Sequence, residues 1–285
     1  MIHRPPNLIR LLVYAVLAFF AVITLIPLAW LLVGAFKTNE DFFGYLFFPL
    51  KEGGLAIDWA RMTLENFRRL FFSLNFTNYI ANSFFLASVT SVLATLFAAM
   101  GGYALAKFQF AGRQLMLGVV LFAIIIPGPL LLAPVFQLIY QLNLLNTYTG
   151  LILPAMAPAF GIFLFRQAML NSVPTELIEA ARIDGCGEGR IFLTIVLPIV
   201  RPMVGAFLLI TFLGTWNNFI MPQVMLQSEE MFPLSVAIAQ LRGAYGTDYG
   251  MISAGTVISI APVMCLFLLL QREFISGLTS GAVKG

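Results

Sequence analysis

One long uncharged stretch constrains the fold of this chain more than any other feature. From Gln114 to Phe165 the sequence contains no Asp, Glu, Lys or Arg. A helix needs about 20 apolar residues to cross the roughly 30 Å hydrocarbon core of a bilayer, so this stretch is long enough for two crossings. The polar run QLNLLNTYTG, which begins at Gln141, supplies a turn between them. The stretch therefore predicts a pair of membrane-spanning helices.

The composition extends this conclusion to the whole chain. Of its 285 residues, 60% are hydrophobic and only 10% are charged, whereas a soluble domain carries about 25% charged residues. That is too little charge to cover a water-exposed surface of this size, so we predict an integral membrane protein. The net charge of +3 is too small to suggest a nucleic-acid partner.

Further uncharged stretches raise the predicted number of spans to six, in an all-α, polytopic membrane protein. The first apolar run is far longer than the roughly 7–15-residue core of a signal peptide, so we keep it as a helix. The cluster Ile126-Pro127-Gly128-Pro129 is the strongest candidate for a broken span, as a static kink or as a hinge. The predicted segments are an N-terminus at 1–10, span one at 11–36, an outer loop at 37–78, span two at 79–106, span three at 114–140, span four at 148–170, an inner loop at 171–198, span five at 199–221, an outer loop at 222–248, span six at 249–270 and a tail at 271–285.

The basic residues predict the orientation of these spans. With both termini in the cytoplasm, the inner segments hold ten of the 16 Lys and Arg residues. Five of the six outer ones lie in the single long loop 37–78, where charge counts least, while the short loops are basic on the inner side. We therefore expect both termini to be cytoplasmic.

The residue types exclude most chemistry within the chain itself. His3, Cys186 and Cys265 are too scattered to form a metal site or a Cys-His or Ser-His-Asp arrangement. No predicted span carries an acidic residue in its interior, which ion-coupled carriers generally need. The phosphate-binding motif G-x-x-x-x-G-K-[ST] is absent as well. If the protein moves a solute uphill, the energy has to come from another protein.

The inner loop 171–198 carries the strongest functional signal. Pro174 suits the first turn of a helix, and Gly185 is placed to end it. Ala180 and Ala181 leave little bulk on the surface of this helix. A short helix with small residues facing outward fits a narrow groove on a partner protein.

The spacing within this loop points to a family. Glu179-Ala180-Ala181 is followed at fixed spacing by Gly185 and, after nine further residues, by Ile195-x-Leu197-Pro198. This pattern resembles the EAA signature, EAA-x3-G-x9-I-x-LP, of the inner-membrane subunits of binding-protein-dependent ABC importers, and all seven defining positions match. The resemblance implies the type I permease fold of that family and a place in the bacterial inner membrane.

Two other segments are similar to the carbohydrate branch of the family, the maltose-importer type. One is Gly214-Thr-Trp-Asn-Asn-Phe219 in span five, and the other is the C-terminal stretch from Gln271 to Gly285. In that branch the tail of one permease subunit enters the interface between the ATPase subunits. The resemblance therefore implies an ATP-driven carbohydrate importer, whose partners are a second homologous permease, two ATPase subunits and an extracytoplasmic solute-binding protein. ATP and Mg would be bound by the ATPase subunits, with no cofactor and no catalytic residue in this chain.

The resemblance also assigns roles to residues. The docking residues on the predicted coupling helix are Pro174, Glu176, Glu179, Ala180, Ala181, Asp184 and Gly185; the rest of the loop signature is Ile195, Leu197 and Pro198; the tail residues at the ATPase interface are Gly277, Leu278, Thr279, Gly281 and Lys284; and possible residues of the solute path are Trp216, Asn217 and Asn218. Water in a solute path would satisfy the hydrogen-bonding groups of the adjacent amides Asn217 and Asn218, but helix–helix packing would satisfy them equally well. The outer loop 222–248 would face the solute-binding protein.

Other interpretations remain open at this point. An ABC permease for another polar solute, such as a glycerol phosphate or an amino acid, shares the loop signature, although the tail disfavours it. A free-standing channel or secondary carrier is disfavoured by the uncharged spans, and a purely structural anchor leaves the spaced loop without a role. The sequence does not identify the sugar.

Overall fold

The computed structural model describes residues 7–51, 54, 56–243 and 246–279, and this part of the chain is almost entirely helical. Its one strand pair is antiparallel, with β1 (Arg242–Gly243) against β2 (Gly246–Thr247). The helices are α1 (Asn7–Gly34), α2 (Asn39–Gly44), α3 (Glu65–Phe72), α4 (Phe76–Lys107), α5 (Arg113–Ile125), α6 (Leu132–Gln141), α7 (Tyr148–Ala155), α8 (Ala159–Ser172), α9 (Thr175–Ile183), α10 (Glu188–Ile191), α11 (Leu197–Ile199), α12 (Arg201–Trp216), α13 (Ile220–Met225), α14 (Leu234–Gln240) and α15 (Tyr249–Thr279). Single 3-10 turns lie at Trp59–Arg61, Gly128–Leu131 and Glu229–Met231, and a π-helical turn at Phe192–Val196 joins α10 to α11.

The described residues contain three helices that are individually long and apolar enough to cross a membrane: α1, α4 and α15. Three bent pairs meet the same test together. These are α5 with Gly128–Gln141, bent by 102°, α7 with α8, bent by 42°, and Glu188–Ile199 with α12, bent by 84°. Counting each bent pair as one span gives six, so the predicted all-α, polytopic architecture is confirmed.

Proline explains two of these bends. The chain breaks at the Pro127-Gly128-Pro129 cluster, where Ile126 adopts extended angles (φ −72°, ψ 120°), the region that a following proline favours. Pro158 is likewise extended (φ −69°, ψ 124°) between α7 and α8. Predicted spans three and four are therefore each built from two helical pieces.

Span five differs most from its predicted limits of 199–221. Helix already begins at Glu188, far inside the predicted loop, and turns sharply at Val200 (φ −95°, ψ 16°) ahead of Pro202. At the other end α12 stops at Trp216 with Asn217 as its C-terminal cap, and the Asn218 side chain accepts a hydrogen bond from the Met221 amide at 3.4 Å. The uncharged stretch alone does not reveal either change of direction.

The chain divides into two compact units, 1–76 with 238–261, and 77–237 with 262–285. In the first unit, Lys37 is almost fully buried and donates to the Tyr45 carbonyl at 2.6 Å. Burial lowers the pKa of Lys37, and the charge of Asp41 partly opposes that shift. Asp41 itself pairs with Arg61, so the predicted outer loop is a folded structure with its own buried polar centre.

In the second unit, glycines let three helices approach closely. A Cβ on Gly102 of α4 would lie 2.6 Å from the Cβ of Phe165 and 2.7 Å from the backbone nitrogen of Arg166, both on α8. A Cβ on Gly161 of α8 would meet Phe207 of α12 at 2.3 Å. The buried core of this unit continues without interruption to the inner loop.

Candidate functional site

The predicted coupling helix is α9, Thr175–Ile183. Pro174 precedes it in an extended conformation (φ −62°, ψ 138°), and Glu176 lies in its first turn, where a carboxylate interacts favourably with the helix dipole. Lys107, the last residue of α4, donates from Nζ to the Val173 carbonyl at 2.6 Å. The entry to the helix is therefore tied to the end of a long helix.

Gly185 ends this helix in the way that its sequence position predicts. Its φ is +80°, in the left-handed region, and Asp184 is the last residue before it. The Gly185 amide donates to the Arg182 carbonyl at 3.0 Å, and the Cys186 amide donates to the Ala181 carbonyl at 2.9 Å. This pair of bonds is the Schellman motif, which satisfies carbonyls that a helix end otherwise leaves free.

The two alanines of the signature face opposite ways. Ala180 is exposed, but Ala181 is 7% exposed and lies in the core beside Ile178, which is 1% exposed. The expectation that Ala181 faces a partner therefore has to be corrected, because its small side chain packs within the subunit. Of the other predicted docking residues, Pro174, Glu176, Glu179, Asp184 and Gly185 are all exposed.

The outward face also contains a feature that the sequence analysis missed. Leu177, Ala180 and Ile183 recur every three residues and share one side of α9. Ile183 is 86% exposed and Leu177 is 42% exposed. We call these three residues the docking stripe; the repeat of apolar residues along the helix was the available signal. Glu179 and Asp184 are exposed neighbours of the stripe, so the surface combines apolar and acidic groups.

The C-terminal end of α9 is held by a hydrogen-bonded cluster. Arg182 Nε donates to Glu188 Oε1 at 2.6 Å, and the hydroxyl of Tyr103 on α4 donates to Glu188 Oε2 at 3.1 Å. The hydrogen bond with Glu188 raises the pKa of Arg182, so the guanidinium stays charged. The Arg182 guanidinium also lies over the ring of Phe108, 5.6 Å from its centroid.

The remaining signature residues shape the start of the next helix. Ile195 and Leu197 are half-buried and pack against the core, whereas Pro198 is exposed. The Leu197 amide donates to the Phe192 carbonyl, five residues back, which forms the π-helical turn. Pro198 has no amide hydrogen to donate, so a change in the hydrogen-bond ladder at this point is expected.

A cavity of about 190 Å³, lined mostly by apolar residues, lies in the second unit, beside the end of α12. Among its lining residues, those with side-chain oxygens are Ser83, Thr90, Thr215 and Asn218. Of the three predicted path residues, only Asn218 lines it. Asn217 is exposed and its side chain donates to the Leu213 carbonyl of its own helix at 3.0 Å, and Trp216 is buried and stacks on Phe212.

Side-chain amides hold the segment between Met225 and Pro233, two residues that line the cavity. Asn82 Nδ2 donates to the Glu230 and Phe232 carbonyls at 2.7 and 3.1 Å. Asn146, with φ +55°, accepts from the Gln227 and Ser228 amides through Oδ1. The segment that follows α13 is thereby held on two sides.

The tail prediction is only partly within the described residues. Helix α15 runs to Thr279, so Gly277, Leu278 and Thr279 are helical. Gly281 and Lys284 lie outside the described residues.

Comparison with known proteins agrees with this geometry. Residues 91–273 match the family model described as binding-protein-dependent transport system inner membrane component. The chain is 40% identical over 94% of its length, and 94% of the relative's, to the arabinooligosaccharides transport system permease protein AraQ of Halalkalibacterium halodurans. It is 32% identical to the lactose transport system permease protein LacG of Rhizobium radiobacter, with 99% of this chain and 98% of the relative covered. A solved bacterial ABC transporter involved in the import of alginate has a chain of similar fold, with 21% identity, a TM-score of 0.80 and coverage of 96% and 99%.

Proposed function

This chain belongs to the family of binding-protein-dependent transport system inner membrane components, and from that premise we propose that it is one of two permease subunits of an ATP-driven carbohydrate importer. Membership places it in the inner membrane as a multi-pass transport subunit rather than an enzyme. The assignment to carbohydrates is supported by relatives along nearly the whole chain that are named for arabinooligosaccharides and lactose. The orientation that we propose has both termini in the cytoplasm.

The observation that carries the proposal is the construction of α9. A nine-residue helix presents an exposed apolar docking stripe, while its opposite face is buried in the core of the second unit. Isolated helices of this length are unstable in water, so the fold holds the stripe ready for a partner. We propose that the partner is an ATPase subunit, which binds ATP and Mg, with a second ATPase on the homologous permease.

In this mechanism the permease has two alternative packing arrangements, and the state of the ATPase pair determines which one is populated. Closure of the ATPases around ATP would move both docking helices and turn the solute path from inward-facing to outward-facing. A ligand shifts such an equilibrium only as far as its affinity differs between the two states. The solute-binding protein would deliver the sugar at the outer side, facing 222–248.

Co-purification tests the proposal directly. The chain is expressed with its neighbouring genes, extracted in mild detergent and analysed by mass spectrometry. We expect a complex of this chain, a second permease and an ATPase in a 1:1:2 ratio, and ATP-dependent uptake of a sugar that the solute-binding protein binds. Recovery of the chain alone, active in proteoliposomes without ATP, would contradict the proposal and favour a secondary carrier.

We further propose that the cavity beside Asn218 is part of the solute path. Replacing Asn218 with leucine should lower uptake at least fivefold in an assembled complex, because it removes the only amide side chain among the described residues that line the cavity. Asn217→Leu is the matched control, since its amide is satisfied by its own helix outside the cavity. Uptake that is equal in the two variants would remove the cavity from the path.

A further inference from the structure

The cluster at the end of α9 joins the docking surface to a membrane helix through a single carboxylate. Glu188 accepts from Arg182 through one oxygen and from Tyr103 through the other. Tyr103 is 5% exposed and Arg182 is partly exposed, so the carboxylate connects a buried group to a surface group. Neither Tyr103 nor Glu188 belongs to the loop signature.

Aromatic packing fixes the buried end of this connection. The Tyr103 ring lies 5.3 Å from Phe108 in an edge-to-face arrangement and 5.5 Å from Phe192. With the ring held on both sides, its hydroxyl has little freedom to find another acceptor. Hydrogen bonds to a charged group are also stronger than those between neutral groups, so we expect the Tyr103–Glu188 bond to persist when α9 moves.

From this point α4 packs closely against α8. Gly101 and Gly102 immediately precede Tyr103 on α4, and a Cβ on Gly102 would collide with the α8 backbone. Helices packed this closely cannot slide independently, because interiors at native density behave as solids. Movement of α9 would therefore reach the spans through α4 wherever the Tyr103–Glu188–Arg182 connection holds.

We infer that Tyr103 and Glu188 are positioning residues for transmission: together with Arg182 they make α9 and α4 move as one body when the ATPases close. This inference rests on the proposed function. It assigns the two residues no contact with the ATPase, the nucleotide or the solute. Substituting either residue should lower the amount of solute transported per ATP hydrolysed and leave assembly with the ATPase unchanged.

The experiment measures transport per ATP hydrolysed in proteoliposomes containing the full complex. Tyr103→Phe removes one hydroxyl and keeps the ring, and Glu188→Gln keeps the shape and removes the charge. Each should co-purify with the ATPase in normal amounts and hydrolyse ATP, but deliver about fivefold to tenfold less solute per ATP. Tyr140→Phe is the matched control, because Tyr140 is exposed on α6, away from the cluster.

A double variant separates transmission from general stability. Because Tyr103 and Glu188 share one hydrogen bond, the double variant should lose no more coupling than the worse single variant. Additive losses, unchanged coupling in both single variants, or loss of ATPase co-purification together with coupling would each overturn the inference. Failure of the proposed function is distinguishable, because the wild-type chain would then show no ATPase partner before any variant is made.

Discussion

Replacing Glu179 with lysine is expected to abolish transport and reduce ATPase co-purification at least tenfold, with membrane insertion unchanged. Glu179 is exposed on α9 beside the docking stripe, and its charge interacts with that of the neighbouring Arg182. Lysine and glutamate have similar helix propensities, so α9 should remain folded. The loss would come from the reversed charge. A lysine at position 179 would face the cationic group on the ATPase that we expect Glu179 to contact. Like-charge contacts across an interface cost several kcal/mol, which is enough to dissociate a helix docked in a groove.

The measurement is affinity purification of the permease followed by quantification of bound ATPase. Glu230→Lys is the matched control: Glu230 is an exposed glutamate in the predicted outer loop, where its backbone carbonyl accepts hydrogen bonds from Asn78 and Asn82. We expect that control to retain the ATPase fully. If Glu179→Lys retained normal coupled ATPase activity, α9 would not be the docking helix.

The limits of α9 were predictable because they depend on local chemistry. Pro174 fixes the entry and Gly185 takes the left-handed conformation that closes the helix, and both requirements can be recognised in a single sequence. The direction in which each side chain faces was not predictable in the same way. Ala181 faces inward and Ile183 outward because the core of the second unit lies against one side of α9.

The spans show the same division between local and distant causes. The Pro127-Gly128-Pro129 break follows from residues adjacent in sequence, so the composition of span three revealed it. The hydrogen bond between Glu188 and Tyr103, by contrast, joins residues 85 positions apart. No pattern in one sequence pairs residues so far apart. The residues of the cavity were likewise predicted only in part. Asn217 and Asn218 are adjacent in sequence, and only the position at which α12 ends shows that Asn218 lines the cavity and Asn217 does not.

Substituting valine for Gly185 is the second change with a large expected effect. At φ +80° a side chain at this position approaches its own backbone, which costs an L-residue roughly 1–2 kcal/mol, and a β-branched residue is the least tolerant. Contact with the rest of the protein is not the obstacle, since nothing in the described part of the chain beyond the adjacent backbone lies within 4 Å of a Cβ built at Gly185. The strain therefore acts on the backbone and disrupts the two Schellman bonds that end α9.

We expect Gly185→Val to lower transport and ATPase co-purification about tenfold, and to speed tryptic cleavage after the exposed Arg182, because the turn that follows it opens. Gly187→Val is the matched control two residues away, where φ is −71° and valine is tolerated. Gly185→Asn should restore most of the activity, since asparagine accepts the left-handed region. An equal loss in all three variants would mean that side-chain bulk at the interface, rather than the backbone conformation of Gly185, controls docking.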